Sequence, residues 1–280
     1  MAAKNALLGG TDWSAGDLYF QDLNDTFDRT VTRAVLMSSP DWPADFDLFD
    51  NEQIFTADGT WTKPSGASYV FVQVWGAGGA GGSQVGGSTP RAGGGGGGAY
   101  SSQWFKASDL DGTVSVTVGD GGLGVEQVDG NDGDDSSFGT HVVSGGGKGG
   151  ERGTTNPREG GDGGLRFGFL ETGVSVMAGS NYLTLQSDAT DRYAGAGGIG
   201  PSFRGGHSEF GGAGGGGDGA GGGQSLHAGN GGGGSRTVGV DATDGVAPAG
   251  GGGAYASSTG SPAARGGHGA RGEVRVYTIL

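Results

Sequence analysis

The sequence predicts an all-β protein in which β-sandwich-like strands frame a glycine-rich polyglycine-II bundle, preceded by a short N-terminal helical segment. Three observations predict this class: a very high glycine content, alternating strands on both sides of the glycine tracts, and one amphipathic stripe near the N-terminus. The chain of 280 residues contains 71 glycines, whereas an average domain has about 7% glycine.

The N-terminal segment, residues 1–53, is poor in glycine and carries the amphipathic stripe. Its apolar residues recur at spacings of three and four, which indicates one face of a helix; they are Phe20, Leu23, Phe27, Val31 and Val35. Pro40 and Pro43 end this pattern. Because a lone helix cannot bury its stripe, it either packs on its own domain or forms a trimeric bundle or a dock onto a larger assembly.

Residues 54–280 form a second region, which begins and ends with strand patterns. Residues 54–56 and 60–62 flank the turn-forming pair Asp58-Gly59, and 69–75 is a β-branched and aromatic run typical of a central strand covered on both faces. Residues 100–105, 114–118 and 273–280 also read as strands with alternating side chains. We expect the first and last strands to pair and to enclose the glycine tracts.

The glycine tracts themselves lie at 76–98, 145–164, 195–234 and 250–269. Glycine brings no side chain to a core and loses the most backbone entropy on folding. The uninterrupted runs break the Gly-X-Y period of collagen. Extended polyproline-II-like chains of glycine can instead stack side by side through backbone hydrogen bonds. The alternative is a disordered glycine-rich linker, but a linker would not need a closing strand after it.

Charge and composition exclude several classes of partner. The net charge of −14 argues against nucleic acid and anionic membranes, and the absence of cysteine excludes disulfides and thiolate metal sites. No apolar run approaches the length of a membrane span, and no signal peptide is recognisable. If the protein acts outside cells, we expect it to leave them by lysis or as part of a particle.

Several motifs of the chain resemble a known family. Six motifs are similar to the glycine-rich domain of tailed-phage fibre proteins. They include the opening strand with the glycine run that follows it and the closing strand. Their residues are 60–64, 70–82, 93–102, 114–122, 135–139 and 266–276. Residues 13–17 and 22–27 resemble an N-terminal motif of phage tail and fibre subunits. The glycine-poor insert 169–193 departs from the family pattern.

The resemblance implies a virion tail location, homotrimers and receptor recognition at exposed loops, as in the distal adhesins of T-even-like phages. It also implies attachment to other tail or baseplate proteins, for which we select residues 1–53, and contact with a host cell-surface protein or glycan. Release of such a particle by host lysis makes the expected location the virion and the extracellular space.

The sequence contains no motif that indicates catalysis or a cofactor. Matches to Gly-x-Gly-x-x-Gly are expected by chance at this glycine content and lack a βαβ context, and the four histidines are scattered. We therefore predict a protein that is not an enzyme and has no cofactor. One acidic run has the oxygen-rich chemistry of a calcium site but lacks the register of known calcium loops; its residues are Asp129, Asn131, Asp132, Asp134 and Asp135.

Receptor contact is predicted in the glycine-poor inserts 151–159, 169–193 and 201–210. These inserts hold arginines and aromatics, the residue types that dominate recognition surfaces. The candidate receptor-binding residues are Arg158, Tyr182, Arg192, Tyr193, Phe203 and Arg204. The alternative is that these side chains fill a local core or are simply solvated.

The predicted function is thus a tail fibre or spike subunit that attaches a particle to its host. A purely structural virion component, such as a baseplate or capsid decoration without a receptor, is the first alternative. An ice-binding polyglycine-II protein is the second, although it would need a flat face of small residues that the charged inserts interrupt.

Overall fold

The computed structural model describes residues 51–86, 91–153, 160–167, 176–177, 190–191, 193–198, 203–259 and 264–280. The predicted N-terminal helix lies outside these residues. The compact unit that contains them begins at Asn51, slightly before the compositional boundary at residue 54. Within the described ranges the chain is all-β, as predicted, and its one helical turn is a 3-10 turn at Ala107–Asp109.

The described strands are short apart from three of seven residues. They are β1 (Asn51–Phe55), β2 (Gly59–Thr62), β3 (Tyr69–Trp75), β4 (Ser83–Val85), β5 (Arg91–Ala92), β6 (Tyr100–Lys106), β7 (Thr113–Thr117), β8 (Ser136–Phe138), β9 (Val142–Ser144), β10 (Arg152–Gly153), β11 (Leu165–Phe167), β12 (Val176–Met177), β13 (Thr190–Asp191), β14 (His207–Ser208), β15 (Tyr255–Ser257) and β16 (Glu273–Ile279).

Two antiparallel sheets form a sandwich. The first has the order β1-β16-β3-β6 and the second the order β12-β11-β9-β8-β7-β2. The closing strand β16 pairs with β1 and with β3, which confirms that the first and last strands join. β1 and β2 lie in different sheets although only the turn residues 56–58 separate them. The Asp58 carboxylate accepts a hydrogen bond of 2.8 Å from the Val118 backbone N–H, which ties this turn to the end of β7.

The sandwich core is a layer of β-branched and aromatic side chains between the sheets. Val70, Val72 and Val74 alternate along β3 and are fully buried, as the period of two in a strand requires. The Trp61 and Phe138 rings meet edge to face with centroids 5.6 Å apart. The outer face of β3 is less enclosed, since Tyr69 is exposed and Phe71 is half-buried.

Sandwich strands run directly into the glycine segments. β3 continues into 76–82, β7 into 118–124 and β9 into 145–151, whereas 93–99 leads back into β6 and 264–272 into β16. Because these strands are fixed in the sandwich, the glycine segments start side by side and at defined spacing. We call their stacked array the polyglycine bundle.

The polyglycine bundle shows the three-residue repeat of polyglycine II. The N–H groups of Gly93, Gly96 and Ala99 donate to the carbonyl oxygens of Glu151, Lys148 and Gly145 at 2.8, 2.8 and 2.9 Å. Every third residue therefore faces the same neighbouring segment, as expected for a chain with three residues per turn. An ordinary β-ladder would repeat every second residue.

The segment 93–99 is central in the bundle, with neighbours on all sides. It donates hydrogen bonds to three segments and accepts them from three others, which makes six: 145–151, 193–198 and 249–252 accept, and 76–82, 161–164 and 212–215 donate. A Cβ atom on Gly96 would overlap the carbonyl oxygen of Asp162. The close approach of backbones is thus what requires glycine here.

Side chains inside the bundle are small, and larger ones gather at its border with the sandwich. Ala92, Ala254 and Ala256 form a buried cluster between glycine segments. At the border, the Tyr100 ring packs 5.1 Å from Trp75 and 5.5 Å from Phe210. Among the described residues no helix is long and apolar enough to cross a bilayer.

Candidate functional site at the bundle tip

The glycine segments run away from the sandwich and back again, so the bundle has two ends. One end is the border with the sandwich, and the other, which we call the tip, is formed by turns between outgoing and returning segments. The described tip turns include 218–220, between 212–217 and 221–224, and 236–240, between 229–235 and 241–246. Loops and turns commonly carry recognition residues, so the tip turns are the candidate functional site.

The turn 218–220 is a tight, well-bonded turn. The N–H of Ala220 donates to the carbonyl of Gly217 at 2.9 Å, and Gly219 has a φ of 74°, in the left-handed region that glycine tolerates best. The N–H of Gly217 donates to the carbonyl of Phe203 at 2.9 Å, and that of Asp218 reaches the carbonyl of Ala92 at 3.4 Å. The turn is therefore anchored on two other tip segments.

Asp218 is a buried carboxylate within this turn. Asp218 is 1% exposed. Its Oδ2 atom accepts hydrogen bonds from Nε and Nη2 of Arg236 at 2.9 and 2.8 Å. Burial raises the pKa of Asp218 above its ordinary value, an effect that the bond and charge of Arg236, a backbone hydrogen bond from Ala92 and the charge of Arg91 only partly offset. Its other oxygen, Oδ1, is buried without a hydrogen-bond partner.

The turn 236–240 places apolar and cationic side chains beside each other. The hydroxyl of Ser235 donates to the carbonyl of Val240 at 2.8 Å, and the N–H of Val240 donates to the carbonyl of Thr237 at 3.1 Å. These bonds hold Val238 and Val240 at the surface, 39% and 50% exposed. The tip thus presents side chains of mixed chemistry on a fixed backbone.

The candidate receptor-binding residues are distributed over different places. Phe203 and Arg204 lie at the tip, half-buried and exposed respectively, next to the turn 218–220. Tyr193 lies at the sandwich border, where it packs half-buried against the cluster of Trp75, Tyr100 and Ala249. Arg158, Tyr182 and Arg192 lie outside the described residues.

The acidic run that suggested calcium is spread along one edge of the bundle. Asp129, Asp132 and Asp135 each accept a backbone N–H, from Arg152, Gly149 and Gly146, at 2.8, 2.8 and 2.9 Å. Three residues of a polyglycine-II chain advance about 9 Å, whereas calcium ligands converge within about 2.6 Å of the ion. These carboxylates satisfy outward-facing N–H groups and do not converge on one ion.

The other two residues of that run take part in the bundle through their backbones. The backbone carbonyls of Asn131 and Asp134 accept from Ala80 and Ala77, at 2.9 and 3.0 Å, on the inner side of the segment. In the part of the chain that the structure describes, no group of three histidine, aspartate or glutamate side chains is placed to hold a metal.

A second edge of the bundle uses the same device. Asp241 and Asp244 accept the backbone N–H groups of Arg265 and His268 at 3.0 and 2.8 Å, and Arg265 also forms ion pairs with both carboxylates. Burial alone would raise the pKa of Asp244, but the bonds from Arg265 and His268 outweigh it and lower that pKa overall. Aspartates recur at these edges because the outward-facing backbone N–H groups have no neighbouring segment to accept their hydrogen bonds.

Asp218 and Arg236 were not among the residues selected from the sequence. They lie in or next to the tract 195–234, where glycine obscures other signals. The pair Asp218-Gly219 is nevertheless a turn signal that could have located a tip turn. The partner Arg236 comes from another turn, and only the fold brings it to Asp218.

Comparison with known proteins gives one match. Residues 55–278 match the model of a family described as a glycine-rich domain. This range covers the sandwich, apart from the first residues of β1 and the last of β16, and the whole bundle. No curated protein matches the chain.

Proposed function

We propose that this chain, which belongs to the glycine-rich domain family, is a virion tail fibre or spike subunit. It would attach the particle to a host cell. The proposed role is non-enzymatic and needs no cofactor. The loops of a rigid glycine-rich scaffold would contact a protein or glycan of the cell surface.

The observation that carries the proposal is the polarity of the domain. Asn51 pairs with Thr278 at the far end of β16, whereas Phe55 pairs with Val274 next to the bundle. The chain therefore enters the sandwich at the end opposite to the tip. Such a domain can be held at one end through residues 1–53 and make contact at the other.

The construction of the bundle also supports this role. Its shape depends on backbone bonds that are repeated in every segment, so side chains of the tip turns can differ without altering the lattice. Arg204 and Val240 are exposed there, and arginine and apolar groups are common in recognition surfaces. Backbone hydrogen bonds would thus maintain the shape while side chains of the tip turns recognise the receptor, which suits a protein whose receptor varies.

We further propose that the subunit is a homotrimer located in the virion and released with it on host lysis. Residues 1–53 would provide the trimer contact, the attachment to tail or baseplate proteins, or both. The net charge of −14 disfavours nucleic acid as a partner.

The experiment that tests the proposal combines localisation with competition. Antibodies against the recombinant chain should label the tail fibres or spikes of purified particles in electron micrographs. The free chain should then inhibit adsorption of the particles to their host. A chain carrying Phe203→Ala with Arg204→Ala should inhibit at least tenfold less, since a contact residue typically contributes about 1–2 kcal/mol.

A matched control separates tip contact from general damage. Tyr69→Ala changes an exposed aromatic residue of the sandwich and should leave inhibition intact. Labelling of the particle without any inhibition by the free chain would favour the purely structural virion component. Absence of the chain from purified particles would refute both.

A further inference from the structure

The buried carboxylate at the tip has an unused acceptor. Asp218 is 1% exposed, and both bonding nitrogens of Arg236 converge on Oδ2. Oδ1 has no partner at hydrogen-bonding geometry, although the backbone N–H of Ala92 also interacts with this carboxylate. A buried acceptor without a donor is costly, by about 1–3 kcal/mol, and such groups are rare in folded proteins. A bound ligand that brings a donor would remove this cost.

The groups around Asp218 restrict what that donor can be. Arg236 is in contact with the carboxylate, and its side chain is 48% exposed; the charge of Arg91 also acts on Asp218. A cationic donor such as an ammonium or a metal ion would be repelled by both guanidinium groups. A phosphate or sulfate would bring no donor to Oδ1 and would be repelled by Asp218 itself.

A neutral hydroxyl group meets these requirements. Two adjacent hydroxyls of a sugar can donate one hydrogen bond and accept another, so one could donate to Oδ1 while its neighbour accepts from Arg236. The Arg236 side chain packs over Gly219 and covers the turn. A shift of the side chain that keeps one guanidinium N–H on Oδ2 would admit the sugar and leave a second N–H as its donor.

We infer that the tip turn 218–220, with Asp218 and Arg236, binds a neutral glycan through a pair of adjacent hydroxyl groups. Phe203 belongs to the segment that hydrogen-bonds to this turn, and an aromatic ring is suited to the apolar face of a sugar. The inference rests on the proposed attachment function, because it names the chemical class that the tip recognises.

The test uses the full chain on a printed array of neutral, sialylated, sulfated and phosphorylated oligosaccharides. Binding to neutral glycans with adjacent free hydroxyls is expected, with little dependence on salt. Asp218→Asn retains the shape of the side chain but weakens its acceptor, and it should reduce binding tenfold or more, because a site built to bond a hydroxyl discriminates strongly. Asp111→Asn, an equal charge change in the exposed loop before β7, is the control.

Arg236→Gln provides a second variant, and thermal melting shows whether both variants fold. Folded Asp218→Asn and Arg236→Gln chains that bind like the unchanged chain would overturn the inference. Salt-sensitive binding to the acidic glycans alone, or no binding to any glycan, would also overturn it. Attachment through the tip would survive such a result if adsorption of particles still depended on Phe203 and Arg204, which would indicate a protein receptor.

Discussion

At the scale of single residues, the need for glycine at a position of the bundle depends on which atoms a Cβ would meet there. A Cβ on Gly215 would overlap the carbonyl oxygen of Gly252, whereas a Cβ on Gly221 would meet no atom within 4 Å. Two glycines of the same sequence tract are therefore not equivalent. One lies in the lattice and the other lies at its surface.

This difference gives a matched pair of substitutions. Gly215→Ala should lower the free energy of unfolding by about 1–3 kcal/mol or more, because the backbones would have to move apart. Gly221→Ala should change it by no more than about 0.5 kcal/mol, as at other open surface positions. Chemical denaturation of the two variants measures both values. Equal effects would show that backbone contact does not explain the glycine tracts.

At the scale of segments, carboxylates close the edges of the bundle. Asp129, Asp132 and Asp135 repeat every third residue and meet the N–H groups of 146, 149 and 152, which repeat in the same way. The aspartates of this edge therefore recur with the same three-residue period as the hydrogen bonds of the bundle. A sheet edge would require a different spacing.

Removing these acceptors should loosen one edge only. With Asp129, Asp132 and Asp135 all changed to Ala, the amide protons of Gly146, Gly149 and Arg152 should exchange about tenfold faster, since a hydrogen bond contributes about 0.5–1.5 kcal/mol. Hydrogen exchange measured by NMR resolves these amides. Changing the same residues to Asn keeps an acceptor and should restore much of the protection.

The control for charge is a triple substitution of Asp109, Asp111 and Asp120 to Ala, which removes the same number of carboxylates from side chains that bond no bundle amide. Exchange at the three amides should then stay slow. Acceleration by this control as well would assign the effect to net charge.

At the scale of the whole domain, the sandwich and the bundle share their chain segments. β3 continues into the glycine segment 76–82, and the glycine segments 93–99 and 264–272 lead into β6 and β16. The apolar core of the sandwich thus fixes where the segments start, and the lattice fixes how they run. The segments that run through both parts therefore couple their folding.

We therefore expect one cooperative unfolding transition and a gradient of amide protection. Amides of 93–99, which has neighbours on all sides, should exchange as slowly as those of β3, whereas amides of the outer segment 221–224 should exchange faster. Exchange mass spectrometry with overlapping peptides measures both. Random-coil exchange across 93–99 and 212–217, beside a protected sandwich, would contradict an ordered bundle.

The sequence by itself determined the class of fold and six of the sixteen described strands, including the three longest. Residues 69–75 were predicted as a central strand and form β3 with the same bounds, and the closing strand pairs as expected. The glycine tracts were predicted to be an ordered bundle because backbone bonding is the main source of order open to glycine. Local composition and a period of two were sufficient for these conclusions.

The tertiary structure decided which residues come together. Asp218 and Arg236 meet at 2.8 Å, yet they belong to different tip turns, and Tyr193 lies at the sandwich border and not with Phe203 at the tip. The acidic run reads as a cluster in the sequence, but its polyglycine-II conformation spaces Asp129, Asp132 and Asp135 about 9 Å apart along one neighbouring segment. In a lattice held by backbone bonds, the glycines do not identify their partners. The packing of segments, which no local pattern encodes, therefore decides where each side chain lies.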